Sequence, residues 1–274
     1  MEKRSRQQIN PLIPVVVLSI LSILITGCSI SHHAMALFSS TDHFIQVQGD
    51  NRVLFEPGAG NHAQKISTFL NQAIQQIEEK QYRPFPKPVQ VYVCASRESF
   101  TNYFGADVSA GVTSKLFLSP RVFDQGDEIA RLYLIHELSH LHLLQFLGSY
   151  KMRRLPFWFK EGLATYASGG GGANKVSEEE ALAAFHIGKH FIPNKTGGIF
   201  SQKTPSDFGL KPHMFYLQSM MFVSYLEERN RESFRRFLWS VEQGEHFSSA
   251  MENSYIEDLE GLWSDFMKNI GVAR

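Results

Sequence analysis

Residues 127–147 constrain the fold of this chain more than any other segment, because they predict one long helix. The segment contains neither glycine nor proline, and its residues are largely apolar and compatible with a helix. Near its middle, residues 136–140 read His-Glu-Leu-Ser-His. Residues four apart on a helix share a face, so the imidazoles of His136 and His140 should lie side by side.

The spacing of these two histidines is typical of a zinc site. Two imidazole nitrogens on one helix face can bind one tetrahedral metal ion at about 2.0–2.1 Å each. Glu137, one residue after the first histidine, would face the substrate and act as the base. The alternative is an ordinary buried helix with two partly exposed histidines, so a second sequence element has to decide between the two.

A catalytic zinc ion needs a third protein ligand and an open fourth position for water. Glu161 is the candidate, because it follows His140 by 21 residues in a helix-compatible segment, residues 156–166. Gly162 beside it indicates either close approach of another helix or access for a substrate, since both need the absence of a side chain. The alternative for Glu161 is a surface carboxylate on an ordinary helix.

The composition excludes several classes of protein. Of the 274 residues 43% are hydrophobic, enough for a sizeable core in one large domain or two modest ones. Lys and Arg together number 27, as do Asp and Glu, so no charge surplus indicates nucleic acid as a partner. Cys94 lies in an apolar β-like run and is expected to be a buried thiol rather than a nucleophile.

The N-terminus has the features of an export signal. Basic residues precede an apolar stretch at 12–25 that is too short to span a bilayer comfortably, so residues 1–27 are predicted to be a signal peptide. The small residues before Cys28 resemble a bacterial lipobox, which implies that Cys28 carries lipid, and Ser29 resembles the outer-membrane sorting pattern. We therefore expect a cell-envelope lipoprotein in the outer membrane, facing the periplasm, with residues 28–50 as its tether. The alternatives are a plain signal peptide or a short anchor helix.

The remaining chain predicts an α+β fold, with strands before the helix at 127–147 and mainly helices after it. Strands are expected at 89–94, 108–112 and 114–119, and residues 115–118 are expected to be the sheet edge along which an extended peptide adds its backbone. Four glycines at 169–172 are interpreted as a mobile loop, and residues 191–211 as a long irregular connection. Further helices are expected at 63–80, 96–104, 177–188, 214–229, 231–242, 247–253 and 256–270.

Two motifs taken together resemble a known family. His-Glu-x-x-His, followed about twenty residues later by Pro-x-Trp-x-x-Glu-Gly-Leu-Ala-Thr-Tyr at 156–166, is similar to the gluzincin metallopeptidases, in particular the peptidase MA-like domains related to aminopeptidase N. The resemblance implies a zincin-like domain over residues 51–274, with a small N-terminal sheet and a mainly helical C-terminal half. It also implies that the three candidate ligands bind zinc and that Glu137 activates water for the hydrolysis of peptide bonds.

Two further positions, Thr165 and Tyr216, resemble the aminopeptidase branch of that family. Thr165 in the second motif matches the Ser/Thr of the aminopeptidase branch, so an orienting carboxylate for His136 is expected to come from elsewhere or to be absent. Tyr216 resembles the tyrosine that donates a hydrogen bond to the developing oxyanion, and His213 is the alternative donor. The amine-binding motif of true aminopeptidases is not found; Glu128, the nearest upstream acid, is explained by the preference for negative charge at a helix N-terminus.

These features predict a zinc-dependent peptidase that acts on a peptide or protein substrate in the bacterial envelope. The alternative from a different class is a non-catalytic envelope module that keeps the zinc fold for binding or assembly, in which Glu137 would have no use as a base. A third interpretation is a soluble globular protein with a chance motif.

Overall fold

The computed structural model describes residues 40–198 and 202–272 and has the predicted α+β fold. The predicted signal peptide, Cys28 and most of the predicted tether lie outside these residues. All strands of the described chain precede the long central helix, as the sequence predicts. No helix in the described ranges is both long enough and apolar enough to cross a bilayer.

A mixed sheet forms the N-terminal part of the fold. Its strands are Ile45–Val47 (β1), Asp50–Phe55 (β2), Val91–Val93 (β3), Ala110–Val112 (β4) and Leu116–Leu118 (β5). In space their order is β1-β2-β3-β5-β4, with β2, β3 and β5 parallel and the two outer strands antiparallel to their neighbours. Since β1 pairs with β2, the folded domain begins before the predicted boundary at residue 51.

The prediction that residues 115–118 form the sheet edge is wrong. β5 has a neighbour on both sides, because it pairs with β3 and with β4. Residues 113–115 form a tight turn, in which the Thr113 amide donates to the Lys115 carbonyl at 3.0 Å, and this turn sets β4 antiparallel to β5. β4 is therefore the edge strand on this side of the sheet.

The described chain has α-helices at Gly60–Lys80 (α1), Arg97–Phe104 (α2), Asp127–Arg154 (α3), Phe157–Ser168 (α4), Glu178–His186 (α5), Pro212–Arg229 (α6), Arg231–Glu242 (α7), Phe247–Tyr255 (α8) and Leu259–Asn269 (α9). The central helix α3 continues past its predicted end at residue 147. The backbone leaves helical geometry at Gly148, with φ 69° and ψ 166°, and a further helical stretch follows this kink. A positive φ of this kind favours glycine.

The apolar side chains of α3 belong to two hydrophobic cores. The first half of α3 packs with α1 and the sheet through residues such as Leu134 and Leu138. Leu143 and Leu147 pack into a larger, aromatic-rich core with α4, α6, α7 and α8. Contacts on several sides fix the direction of the polar side chains that α3 carries. Cys94 is fully buried, as predicted, and burial raises the pKa of its thiol well above the usual range.

Buried polar contacts also hold α3 in place. Ser139, between the two predicted ligands, accepts a hydrogen bond from the Gln81 side chain. His142 Nε2 lies 3.0 Å from the Arg83 carbonyl, and the Arg83 guanidinium lies 3.0 Å from a carboxylate oxygen of Glu242 on α7. Burial lowers the pKa of His142 to about 4, so its imidazole is neutral and donates to that carbonyl. The segment that carries the predicted ligands is thus anchored to α7 as well as to the chain that follows α1.

Gly162 allows α4 to approach α6 closely. A methyl group on Gly162 would lie 2.7 Å from the carbonyl oxygen of Ser219 and 2.9 Å from its carbonyl carbon. Of the two roles that the sequence left open for Gly162, this contact favours close helix approach. We expect Gly162→Ala to lower the free energy of unfolding by about 2 kcal/mol, because the backbone of α6 has to move.

Chemical denaturation measures this effect, and Gly60→Ala in α1 is the matched control. A methyl group on Gly60 would meet only the ring of Phe55, at 3.4 Å, so this variant should stay within about 1 kcal/mol of the parent protein. Equal stability of the Gly162→Ala and Gly60→Ala proteins would contradict the packing role of Gly162.

Candidate metal centre

The three predicted metal ligands meet between α3 and α4. His136 and His140 are one turn apart on α3, and their Nε2 atoms are 3.2 Å apart. Glu161 on α4 has Oε2 at 3.4 Å from His136 Nε2 and Oε1 at 3.6 Å from His140 Nε2. One ligand atom from each residue lies within 4.8 Å of the others, so the group can hold a metal ion.

These separations fit a tetrahedral ion. Ligand atoms at about 2.05 Å from a tetrahedral centre are about 3.3 Å from one another. The two imidazole nitrogens are 3.2 Å apart, and each lies 3.4 or 3.6 Å from one of the two Glu161 carboxylate oxygens. The side chains of His136, His140 and Glu161 are only 5%, 14% and 11% exposed, so an ion among them would be largely shielded from water. Two imidazoles and one carboxylate leave the fourth position of a tetrahedron open.

The charges of the group favour a cation. Burial alone would raise the pKa of Glu161, but the neighbouring His140 and His136 hold that pKa far below its usual range. Burial would lower the pKa of His136, but the Glu161 carboxylate raises it. Glu161 therefore remains anionic, which is the form that binds a metal ion.

Glu137 lines the cleft beside the metal group but is not one of its three converging ligands. Only 8% of the residue is exposed, and burial raises the pKa of its carboxyl group, although the charges of His140 and His136 oppose this. A carboxyl group with a raised pKa next to a metal position is suited to accepting a proton and then returning it.

The glycine run at 169–172 supplies the partner that orients His136. The Gly171 carbonyl oxygen lies 2.9 Å from His136 Nδ1. A carbonyl can only accept, so Nδ1 carries the hydrogen and Nε2 keeps its lone pair for a metal ion. The acceptor is therefore main chain rather than a carboxylate. Thr165 does not fill this role, because its buried hydroxyl has no hydrogen-bond partner in the described chain.

The glycine run is irregular, as predicted, but two of its residues are buried against the site. A methyl group on Gly171 would lie 2.6 Å from the Leu132 carbonyl oxygen. Gly172 has φ +85°, and a methyl group there would lie 3.1 Å from the Tyr216 ring and 3.2 Å from the His136 ring. The interpretation of this run as a mobile loop missed its packing. Consecutive glycines soon after a ligand are the sequence signal that could have revealed the close backbone approach.

Tyr216 and His213, the two predicted oxyanion donors, both lie on α6 and line the cleft. The Tyr216 ring is nearly parallel to the His136 ring, with centroids 6.1 Å apart. The charge of Glu161, followed by burial, raises the pKa of the Tyr216 hydroxyl well above its usual range, so it stays protonated and able to donate. Glu128, in contrast, forms an exposed ion pair with Arg131 in the first turn of α3, as a helix N-terminal charge should.

A cleft of about 880 Å³ opens at the metal group. Residues 108–114, which include β4, form one side of it, and α3, α4 and α6 form the others. Within the described residues β4 pairs only with β5, so its outer amides and carbonyls can pair with an added strand. The arrangement can therefore hold an extended chain along β4 with one of its carbonyl groups near the metal position.

No protein-family model matches this chain, and no curated protein matches it.

Proposed function

We propose that this chain is a zinc-dependent peptidase with a zincin-like fold. The observation that carries the proposal is the convergence of His136, His140 and Glu161 at separations suited to tetrahedral zinc, with Glu137 beside them in an open cleft. Two histidines, one glutamate and an open fourth position are typical of catalytic zinc. The edge strand β4 along the same cleft supports a peptide or protein as the substrate.

The chemistry divides between the metal and Glu137. Zinc bound at this group would polarise the scissile carbonyl and lower the pKa of a water molecule to about 7. The Glu137 carboxylate accepts a proton from the attacking water and passes it to the nitrogen of the leaving amine. Burial of Glu137 supports the second transfer, because its raised pKa favours the protonated form that donates.

Tyr216 is the proposed donor to the oxyanion that develops on the scissile carbonyl. Its ring stacks beside His136, and its hydroxyl is close enough to Glu161 to interact with that carboxylate. We expect Tyr216→Phe to lower kcat by about 100-fold with little change in zinc content, because a preorganised oxyanion donor contributes about that factor.

Tyr150→Phe is the control for this variant, since Tyr150 is 75% exposed and should tolerate the change. His213→Asn tests the alternative donor with the same assay. If His213→Asn loses far more activity than Tyr216→Phe, the donor is His213 and the assignment of Tyr216 is wrong.

The proposed location is the bacterial cell envelope, with a lipid on Cys28 that holds the chain to the outer membrane on its periplasmic face. This part of the proposal is supported by the sequence of residues 1–29 alone. The proposed partners are accordingly a peptide or protein substrate and, through the lipid, the membrane. The balanced charge gives no support to a nucleic-acid partner.

An unbiased peptide-library digest of the purified full chain tests the proposal, with zinc content measured on the same preparation. We expect zinc at about one ion per chain and cleavage that a chelator abolishes and added zinc restores. Bound zinc without turnover of any peptide would favour the non-catalytic envelope module instead. A preparation that binds no metal, and whose thermal stability a chelator leaves unchanged, would favour the chance motif.

A further inference from the structure

The cleft beside the metal group contains positive side chains that have no carboxylate partner. Arg153, Lys160 and Lys175 all line it. None of the three has a carboxylate oxygen within 4.0 Å among the described residues. The lysines and arginines that do form ion pairs there are all other residues. The fourth cation of the cleft, Arg121, is paired with Asp107. Outside the metal group and Glu137, the unpaired charged side chains that line the cleft are therefore all positive.

Lys160 is the cation that a series of ring contacts links to the metal group. It directly precedes Glu161 on α4, and its ammonium lies 5.7 Å from the centre of the Phe157 ring. The Phe157 ring neighbours the Tyr216 ring at 6.3 Å, and the Tyr216 ring in turn stacks on His136 at 6.1 Å. These neighbouring side chains all line the cleft, from the metal group to Lys160.

The position of Lys160 is electrostatically unfavourable without an added anion. It lies in the first turn of α4, where the helix dipole disfavours positive charge and no acidic side chain is present. Lys160 is only partly exposed to solvent, and Arg153 is close enough to repel it. The Glu161 carboxylate, the nearest compensating charge, is the one that a metal ion would engage. A positive charge kept under these conditions is explained if it pairs with a group that enters the cleft.

From these observations we propose that Lys160, assisted by Arg153, binds a carboxylate of the peptide substrate next to the scissile bond. This inference rests on the proposed peptidase function and adds the substrate class, a peptide with an acidic group. The carboxylate belongs either to an aspartate or glutamate side chain or to the C-terminus of the peptide. Both cations can donate charge-assisted hydrogen bonds to such a group.

The test measures binding separately from cleavage. Fluorescent octapeptide pools carry either Glu or Gln at one fixed position and neutral residues elsewhere, with an amidated or a free C-terminus. Their affinities are measured by fluorescence anisotropy on the zinc-loaded full chain carrying Glu137→Gln, which removes the proposed base. Hydrolysis of the same pools is measured on the parent protein, so a failure of the peptidase function is seen independently of the charge preference.

We expect the Glu pool to bind about tenfold more tightly than the Gln pool at one or more positions, as a charge-assisted hydrogen bond provides. Lys160→Gln should abolish this preference, Lys160→Arg should retain it, and Lys160→Glu should reverse it in favour of a basic residue. A preference only for the free C-terminus over the amide would identify that carboxylate as the source. Lys151→Gln, on the kinked helix α3 that also carries Arg153, removes an equal charge outside the cleft and should leave the preference unchanged.

Several outcomes would overturn the proposal. One is equal affinity for Glu and Gln pools at every position together with equal affinity for free and amidated termini. Another is a preference that persists in Lys160→Gln. A large fall in the melting temperature of Lys160→Gln at unchanged zinc content would show that the lysine stabilises the fold, whereas relief of repulsion predicts equal or higher stability.

Discussion

Glu137→Gln should leave zinc content and fold unchanged while lowering peptide hydrolysis by about 1,000-fold, the loss typical of an enzyme deprived of its general base. The amide has nearly the same volume as the carboxylate, so the buried position beside His136 and His140 should remain filled. It cannot accept a proton from water at neutral pH, and the second transfer to the leaving nitrogen is lost with the first. Zinc analysis and kcat/KM for one library-derived peptide measure both parts of this expectation.

Glu128→Gln provides the matched control for this experiment. It makes the same chemical change on the same helix, at an exposed position paired with Arg131 rather than in the cleft. Its activity should stay close to that of the parent protein, since a surface ion pair contributes little. Normal cleavage by Glu137→Gln would exclude Glu137 as the base, and loss of its zinc would mean that the residue supports the metal group instead.

His140→Ala should abolish both metal binding and hydrolysis. Removing one of three ligands leaves only two protein ligands for a zinc ion, so zinc should fall from about one ion per chain to near zero. Binding at 1,000 times the dissociation constant stabilises a folded protein by about 4 kcal/mol. For a domain of this size, a change of about 4 kcal/mol corresponds to about 10 °C in melting temperature. Both the variant and the chelated parent protein should therefore melt about 10 °C below the zinc-loaded parent protein.

His186→Ala controls for the loss of an imidazole, since His186 is exposed at the end of α5. It should retain both the metal and the thermal shift on adding zinc. A His140→Ala protein that still binds zinc tightly and shows the same thermal shift would refute the assignment of the three-residue group as the metal site.

Local geometry explains why the metal group could be predicted from sequence. The distance between His136 and His140 depends on one helical turn, which the absence of glycine and proline around them already indicated. Local geometry alone could not place Glu161, because its position opposite α3 is a tertiary contact. That position was predicted from the resemblance of the second motif to the family. Most helices and the strands β3, β4 and β5 followed from periodicity, with ends shifted by a few residues, whereas β1 and β2 were not predicted.

Features that depend on pairing between distant segments were not predictable in this way. The order of β4 and β5 is set by which of them pairs with β3, and this pairing between distant segments is not encoded in either short run. Arg153 and Lys160 line the same cleft from two helices, and Arg153 lies beyond the kink at Gly148, which periodicity does not predict. The packing of the glycine run against His136 likewise depends on a turn after α4 that no periodicity encodes.

The hydrogen bond between His136 Nδ1 and the Gly171 carbonyl oxygen determines which mutations can disturb the orientation of His136. Every residue has a carbonyl, so no exchange of one side chain deletes the acceptor at residue 171. A side chain there would instead collide with the Leu132 carbonyl and displace the loop. Changes in the length of the run at 169–172 would shift the acceptor along the chain. A substitution at residue 171 therefore cannot remove the acceptor of the hydrogen bond that orients His136. Insertions, deletions and any residue larger than glycine can still disrupt that hydrogen bond by moving the acceptor.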